Sequence, residues 1–197
     1  MRIVAGTWRG RIIDAPKGDW TRPTSDRVRE ALFSSLASMM GCDLGEGAVL
    51  DAFAGSGALG LEAMSRGASS VAFVENDAAA RGVLTANIAS LGACAPAARV
   101  VAGDAFSAAT RASAATTGPF ALLLLDPPYR IASAQVAGLV EALAGEGSLT
   151  AEVVVVYEHA SATAPIAPRG FKIERTRRYG STSVTIMRRL PPTTETT

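Results

Sequence analysis

From residue 48 onward the chain alternates short apolar runs with longer stretches of helical character. The runs cover residues 48–50, 70–74, 98–102, 121–125 and 153–157, with helices predicted near 58–66, 77–91, 104–115 and 132–144. Such near-continuous apolar runs are strands buried on both faces, and strands that alternate with helices build a mostly parallel sheet covered on both sides. After residue 170 the pattern becomes one of alternation. Residues 171–178 and 183–188 flank Tyr179-Gly180 and predict two antiparallel strands joined by a short turn. Five parallel strands ending in that hairpin make a seven-stranded α/β sheet.

Ahead of this core, residues 2–6 and 11–14 flank Thr7-Trp8-Arg9-Gly10 and read as a small β-hairpin with Trp8 and two arginines near its tip. It is too small for a core of its own. The expected organisation is a hairpin extension over 1–20, one α/β domain over 21–190, and a disordered tail over 191–197. Arg22-Pro23-Thr24 leads into a helix predicted over 25–40, with Thr24 or Ser25 as N-cap and Asp26 in the first turn. Val28, Leu32, Leu36 and Met39 share one face of it, and Gly41 ends it. Residues 107–118, rich in Ala, Ser and Thr, read equally as helix or loop.

Composition narrows the function classes. A chain of 197 residues supports one α/β domain with a full core but not a second. No apolar run is long enough to span a bilayer and the first residues lack a signal-peptide pattern, so a cytoplasmic protein without a membrane role is expected. Cys42 and Cys94 have neither CxxC spacing nor a histidine cluster, which argues against a metal site and a disulfide framework. His159, the one histidine, follows the last parallel run with no nucleophile elbow in the chain, so a hydrolytic triad is disfavoured. The net charge of +1 hides an uneven distribution: residues 1–30 carry +3, residues 31–168 carry −7 and residues 169–197 carry +5. If the two basic ends lie side by side, they offer phosphates a positive surface on an acidic body.

The chemistry is concentrated at the ends of the apolar runs. Asp51-Ala-Phe-Ala-Gly55-Ser-Gly57-Ala-Leu-Gly60 follows the first run and opens a helix, and its glycines fit GxGxxG, with Glu75 20 residues after Gly55. That is the spacing of a Rossmann-like dinucleotide fingerprint, in which the acid holds ribose hydroxyls. Asp51, however, puts a carboxylate where a pyrophosphate would rest, which suits an ammonium group better. Gly103-Asp104-Ala105 ends the third run with an acid able to accept from an adenine amine. Asp126-Pro127-Pro128-Tyr129 ends the fourth. Proline donates no backbone hydrogen bond, so the Asp126 carboxylate and the Pro127 carbonyl are stationary acceptors beside a base stacked on Tyr129. One acid after each of four successive strands outlines the sheet edge where ligands bind in open α/β folds.

These motifs together resemble a class I S-adenosylmethionine-dependent methyltransferase. Residues 22–34, beginning Arg22-Pro-Thr-Ser-Asp-Arg, residues 51–68, and Leu125-Asp-Pro-Pro-Tyr resemble more narrowly the bacterial RsmD family. The resemblance implies a Rossmann-like seven-stranded methyltransferase sheet and methylation of the N2 amine of guanine 966 in 16S rRNA. It implies a donor site at Asp51, Gly55, Gly57, Glu75, Asn76, Asp104, Ala105 and Asp126, and catalysis by Asp126, Pro127 and Tyr129 without a metal. Arg9, Arg11, Arg22 and Arg130, with the basic C-terminal strands, are candidates for RNA phosphate contacts. Trp8 reads either as a base-stacking residue or as an anchor, and Arg22 and Thr24 either as neighbours of the methionine end of the donor or as helix caps. The expected partner is 16S rRNA within a small-subunit particle, bound by a monomer. An adenine-N6 methyltransferase acting on DNA or RNA is the close alternative, and a non-catalytic nucleotide-sensing RNA-binding module is the alternative of another class.

Overall fold

The apolar runs become strands because each has a helix layer on both sides to bury against. The computed structural model describes residues 1–16, 26–40 and 47–191. In chain order these form α1 (Asp26–Met40), β1 (Ala48–Asp51), α2 (Ala58–Ser65), β2 (Ser70–Glu75), α3 (Ala78–Ser90) and β3 (Ala98–Ala102). There follow α4 (Ala108–Ala115), β4 (Phe120–Leu125), α5 (Ser133–Gly145), β5 (Leu149–Ala160), β6 (Phe171–Tyr179) and β7 (Thr182–Arg189). The seven strands lie in the order β3-β2-β1-β4-β5-β7-β6. β1 to β5 are parallel, and β7 runs antiparallel to both β5 and β6.

Successive side chains of each strand feed opposite layers. On one face Val49, Phe73, Leu122, Leu124 and Val156 pack with Leu32, Phe33 and Leu36 of α1, Leu61 of α2, and Leu84 and Ile88 of α3. On the other, Leu50, Val74, Leu123, Leu125 and Val155 pack with Ala114 of α4 and with Val136, Leu139, Val140 and Leu143 of α5. Each fully buried Leu or Val contributes about 1.5–3 kcal/mol relative to exposure, so both layers hold the sheet strongly.

Three elements differ from the sequence expectation. α4 starts at Ala108 rather than near 104, because Asp104 closes a local turn: its Oδ1 accepts from the Phe106 amide and its carbonyl from the Ser107 amide. β5 extends to Ala160, because β7 pairs with it from Val154 to Ala160. His159 is therefore inside a strand rather than at a loop edge; it is buried, stacked on Tyr157, with Nε2 3.0 Å from the Thr185 hydroxyl. α1 buries Arg29, Leu32, Phe33, Ser35 and Leu36, leaving Val28 and Met39 at the margin of the core. Residues 22, 24, 25, 41 and 42 and the tail from 192, with the capping and donor-side roles expected there, lie outside the described residues.

The N-terminal hairpin is reduced to one antiparallel bridge, Arg2↔Ile12, flanked by hydrogen bonds from Ile3 to Arg11 and from Ile13 to Met1. Having no core of its own, it borrows one: Ile3 and Ile13 are fully buried against the α1–α3 layer, and Trp8 packs on the same cluster as an anchor. Glu62 of α2 clamps it. Its buried carboxylate accepts from the Val4 amide at 2.7 Å, the Ala5 amide at 3.0 Å and the Arg66 guanidinium at 2.7 Å.

Replacing Glu62 by Ala leaves two backbone amides and Arg66 without their acceptor, so Glu62→Ala is expected to cost about 3 kcal/mol in urea unfolding. Limited proteolysis should then cut within residues 1–16 of the variant while the wild type resists; equal resistance of the two proteins defeats the clamp.

Candidate active site

The order of the strands creates the site. The chain leaves β1 toward β2 on one side, while β4 lies on the other, so the carboxyl ends of β1 and β4 flank a crevice at a topological switch point. Asp51 is in register with Phe73 of β2 and Leu124 of β4, and the Ala52 amide donates to the Leu124 carbonyl at 3.1 Å. Glu75 is in register with Ala102 at the end of β3. Asp51, Glu75, Asp104 and Asp126 thus lie along one edge of the sheet, as their positions after successive strands predict.

The glycines between Asp51 and α2 have distinct jobs. Gly57 caps α2 at φ 83, in the left-handed region that favours glycine, and its amide closes a turn on the Ala54 carbonyl at 2.6 Å. At Gly60 a side-chain carbon would collide with the Phe73 ring, so glycine here allows α2 to lie directly on β2. Gly55 faces open space, and its amide donates to Glu75 Oε2 at 2.8 Å.

Asp51 is the most unusual charge in the site. It is 1 % exposed; Oδ2 accepts from the Gly60 amide at 2.9 Å, and Oδ1 is buried with no hydrogen-bond partner among the described residues. Burial away from water, reinforced by the nearby Glu75 charge, pushes its pKa up to about 7 from 3.8. The Gly60 amide opposes that shift, and the Phe53 amide does so more weakly from outside hydrogen-bonding geometry. A buried carboxylate oxygen without a donor is costly, and such groups concentrate where a protein has a use for them.

Along the edge, Glu75 also accepts from the Asp77 amide at 2.7 Å through Oε1. A carboxylate has about four lone-pair sites, so capacity for ligand hydroxyls remains. Asn76 is exposed and its carbonyl accepts from Arg81; Asp104 is exposed and Ala105 buried. Phe53 and Phe106 form a tilted pair, centroids 5.8 Å apart, between the loops after β1 and β3. The sequence reading missed this pair, although its signal is present: Asp-Ala-Phe occurs at 51–53 and again at 104–106, each time ending a strand.

After β4, Asp126 is half-buried, Pro127 buried and Tyr129 54 % exposed. The Ile131 amide occupies the Pro128 carbonyl at 2.9 Å, whereas the Pro127 carbonyl accepts no hydrogen bond among the described residues. The Tyr129 hydroxyl is 3.0 Å from the Thr182 hydroxyl, which ties the loop to the start of β7. Nothing in the sequence signalled Thr182, 53 residues away. Arg130 is exposed beside Tyr129. Arg9 lines a groove with Arg2 and with Asp26 and Glu30 of α1, whereas Arg11 is placed elsewhere: it donates to the carbonyl of Ser90 at the end of α3, and the Thr7 amide of the same hairpin donates to the carbonyl of Ser65 at the end of α2. α2 and α3 run against the strands, so their C-termini mark the opposite edge of the sheet.

This sheet order, with a glycine turn after β1 and an antiparallel final hairpin, is the Rossmann-like fold of class I methyltransferases. The chain belongs to the RsmD family: the family model described as conserved hypothetical protein 95 matches residues 1–188. Ribosomal RNA small subunit methyltransferase D of Escherichia coli is 42% identical over 130 residues, which cover 66% of this chain and 61% of that protein. The putative rRNA methyltransferase YlbH of Bacillus subtilis is 40% identical over 130 residues, 66% of this chain and 67% of that protein. Among solved structures, the putative methyltransferase yhhF from Escherichia coli superposes with a TM-score of 0.76 at 34% identity, covering 97% of this chain and 98% of that one. The rRNA methyltransferase aviRa of Streptomyces viridochromogenes, at 18% identity and a TM-score of 0.69, shares the fold.

Asp51 gives the ligand-free protein a specific pH response. Its carboxyl titrates near 3.8 when unfolded and near 7 when folded, so between those values the folded state binds the extra proton and stability falls as pH rises. The stability advantage of Asp51→Asn over wild type should therefore grow from about pH 4 to about pH 7 and then level off, read from urea unfolding without ligand. A constant difference over that range would rule out the raised pKa.

Proposed function

We propose that this protein is an rRNA methyltransferase that transfers a methyl group from S-adenosylmethionine to the exocyclic N2 amine of guanine 966 in the 16S rRNA of the small ribosomal subunit. The observation that carries the reading is the buried, unpartnered Asp51 oxygen at a glycine turn, across one crevice from Asp126-Pro127-Pro128-Tyr129. The names of the relatives, ribosomal RNA small subunit methyltransferase D and putative rRNA methyltransferase YlbH, support the substrate class.

The donor set fits S-adenosylmethionine group by group. Asp51 Oδ1 suits the ammonium, Gly55, whose missing side chain faces open space, allows close approach of the ligand to the backbone, Gly57 holds the turn against Leu61 and Leu84, and the free lone pairs of Glu75 suit the ribose hydroxyls, with Asn76 alongside. Asp104 and Ala105 suit the adenine amine and ring, beside the Phe53–Phe106 pair. When bound, the donor supplies an electrophilic methyl group on a sulfonium centre.

The chain's own residues do the rest. The guanine N2 lone pair is delocalised into the ring and attacks only as the nitrogen pyramidalises. The Asp126 carboxylate and Pro127 carbonyl accept its two N–H bonds and favour that geometry, while Tyr129 stacks on the base and fixes its plane. Alignment of the amine with the methyl group supplies much of the acceleration. The proton on N2 becomes acidic as the N–C bond forms and leaves through the Asp126 carboxylate. The target base must leave its stack to reach Tyr129, which costs least in a loop or bulge. A monomer acting in the cytoplasm on a small-subunit particle completes the reading, and no helix among the described residues is long and apolar enough to cross a membrane.

The decisive experiment supplies labelled S-adenosylmethionine with unmodified 16S RNA, with small subunits lacking the modification, and with duplex DNA, then identifies the methylated nucleoside. N2-methylguanosine from an RNA substrate is expected; N6-methyladenosine instead indicates the adenine alternative, and no product at all indicates a sensing module. Asp126→Ala should lower kcat/KM by roughly 10²-fold or more. A further expectation concerns pH: a cationic ammonium needs ionised Asp51, so donor affinity should weaken up to about tenfold per pH unit below about 7. Asp51→Asn should bind weakly with that dependence removed, as calorimetric titration from pH 5.5 to 8.5 can show.

A further inference from the structure

β6 is an edge strand with an irregularity that sorts its charges. Its register to β7 runs Lys172↔Arg188, Ile173↔Met187, then Arg175↔Ile186 and Arg177↔Val184, so Glu174 is the extra residue of a bulge. Without the bulge, Lys172 would face away from Arg175 and Arg177. With it, Lys172, Arg175 and Arg177 share a face with Arg188, Val184 and Ile186, the face that α1 covers. Leu32 and Ser35 of α1, with Arg175, Arg177 and Tyr179, line a shallow groove along that side.

The groove is positive and open. Lys172, Arg175 and Arg177 are exposed; the one acid on the strand, Glu174, pairs with Lys172, and Arg188 donates to the Met39 carbonyl at the end of α1. Arg175 and Arg177 make no ion pair among the described residues. β6 runs in the direction of β5, so its Arg177 end lies at the catalytic edge. There Tyr179 pairs with Thr182, whose hydroxyl meets Tyr129.

We infer that the α1-facing side of β6 is the phosphate track of the RNA substrate, with Arg175 and Arg177 binding the backbone next to the nucleotide presented to Tyr129. This rests on the rRNA reading above. A strand from a protein partner is the poorer occupant, because a bulge and a row of cations are what keep an exposed edge from pairing with another strand. Same-face side chains about 7 Å apart, all of one sign, instead match a polyanion lying lengthwise.

The test measures binding of unmodified 16S RNA by fluorescence anisotropy over a series of KCl concentrations, with methylation kinetics in parallel. For single-stranded contacts each lost phosphate neutralisation lowers the salt slope by about 0.7, so Arg175→Gln with Arg177→Gln should reduce it by about 1.4. Affinity should fall about tenfold, KM should rise more than kcat falls, and the Lys,Lys double variant should keep the wild-type slope. Arg99→Gln, on β3 at the opposite edge of the sheet, serves as the control and should change none of these. The track is overturned if the double Gln variant keeps the wild-type affinity and slope, if it loses affinity with the slope unchanged, or if it fails only on assembled particles and not on naked RNA. A wild-type protein that methylates no RNA sinks the rRNA reading and the track with it, whereas active wild type with an unaffected variant sinks the track alone.

Discussion

The contact between the Asp51 carboxylate and the Gly60 amide governs the donor half of this molecule. It closes the end of β1 onto the first turn of α2 at 2.9 Å, and it is possible only because position 60 carries no side chain against Phe73. With α2 seated there, the intervening turn is driven to the sheet edge, where the Gly55 amide reaches Glu75 and ties the end of β2 to the end of β1. The cost is a carboxylate with one oxygen buried and unsatisfied. The surrounding apolar layer, from Leu61 to Leu84, holds it there. The geometry of that oxygen is fixed by the packing around it, while its charge is in place only above its raised pKa of about 7.

The same residues explain why so much was legible in the sequence. Strands buried on both faces must be largely apolar, so β1, β2 and β4 stand out from the helices by composition alone, whereas β3, at the sheet edge, carries the exposed Arg99. The acids at or just after the ends of these strands mark one edge of the sheet. β5 is legible only in its middle, because Glu158 and His159 look like loop residues until β7 pairs beside them, and Thr150 and Glu152 until Leu149 pairs with Phe120 of β4. Glu62 sits within a recognised motif yet reads locally as one more exposed helix carboxylate. Its role comes from Val4 and Ala5, 58 and 57 residues earlier, and no local pattern carries that information. Asp104 reads as a helix start and instead closes a turn, a competition between side chain and helix that Asp often wins.

The basic ends of the chain do come together, but around α1 rather than on one surface. Arg2 and Arg29 meet Asp26 on one side of that helix, while Arg188 reaches the Met39 carbonyl at its end and Arg175 and Arg177 flank Leu32 and Ser35 on the other. Thr7 and Arg11 of the hairpin reach the ends of α2 and α3 at the amino edge of the sheet, whereas the end of β6 lies at the carboxyl edge. A charge count along the sequence gives these two regions equal standing; in the fold the second adjoins the Asp126 loop, through Thr182 and Tyr129.

That adjacency bears on how Tyr129 can work while more than half exposed. An exposed aromatic ring loses rotamer freedom when a base stacks on it, and that loss subtracts directly from the stacking energy. The Thr182 hydroxyl restrains the ring, and Pro127 and Pro128 restrain the backbone that carries it. Because Thr182 opens β7 and pairs with Tyr179 at the end of β6, the element that restrains Tyr129 is continuous with the strand whose cations face α1. The restraint on Tyr129 and the row of cations are thus parts of one continuous hairpin.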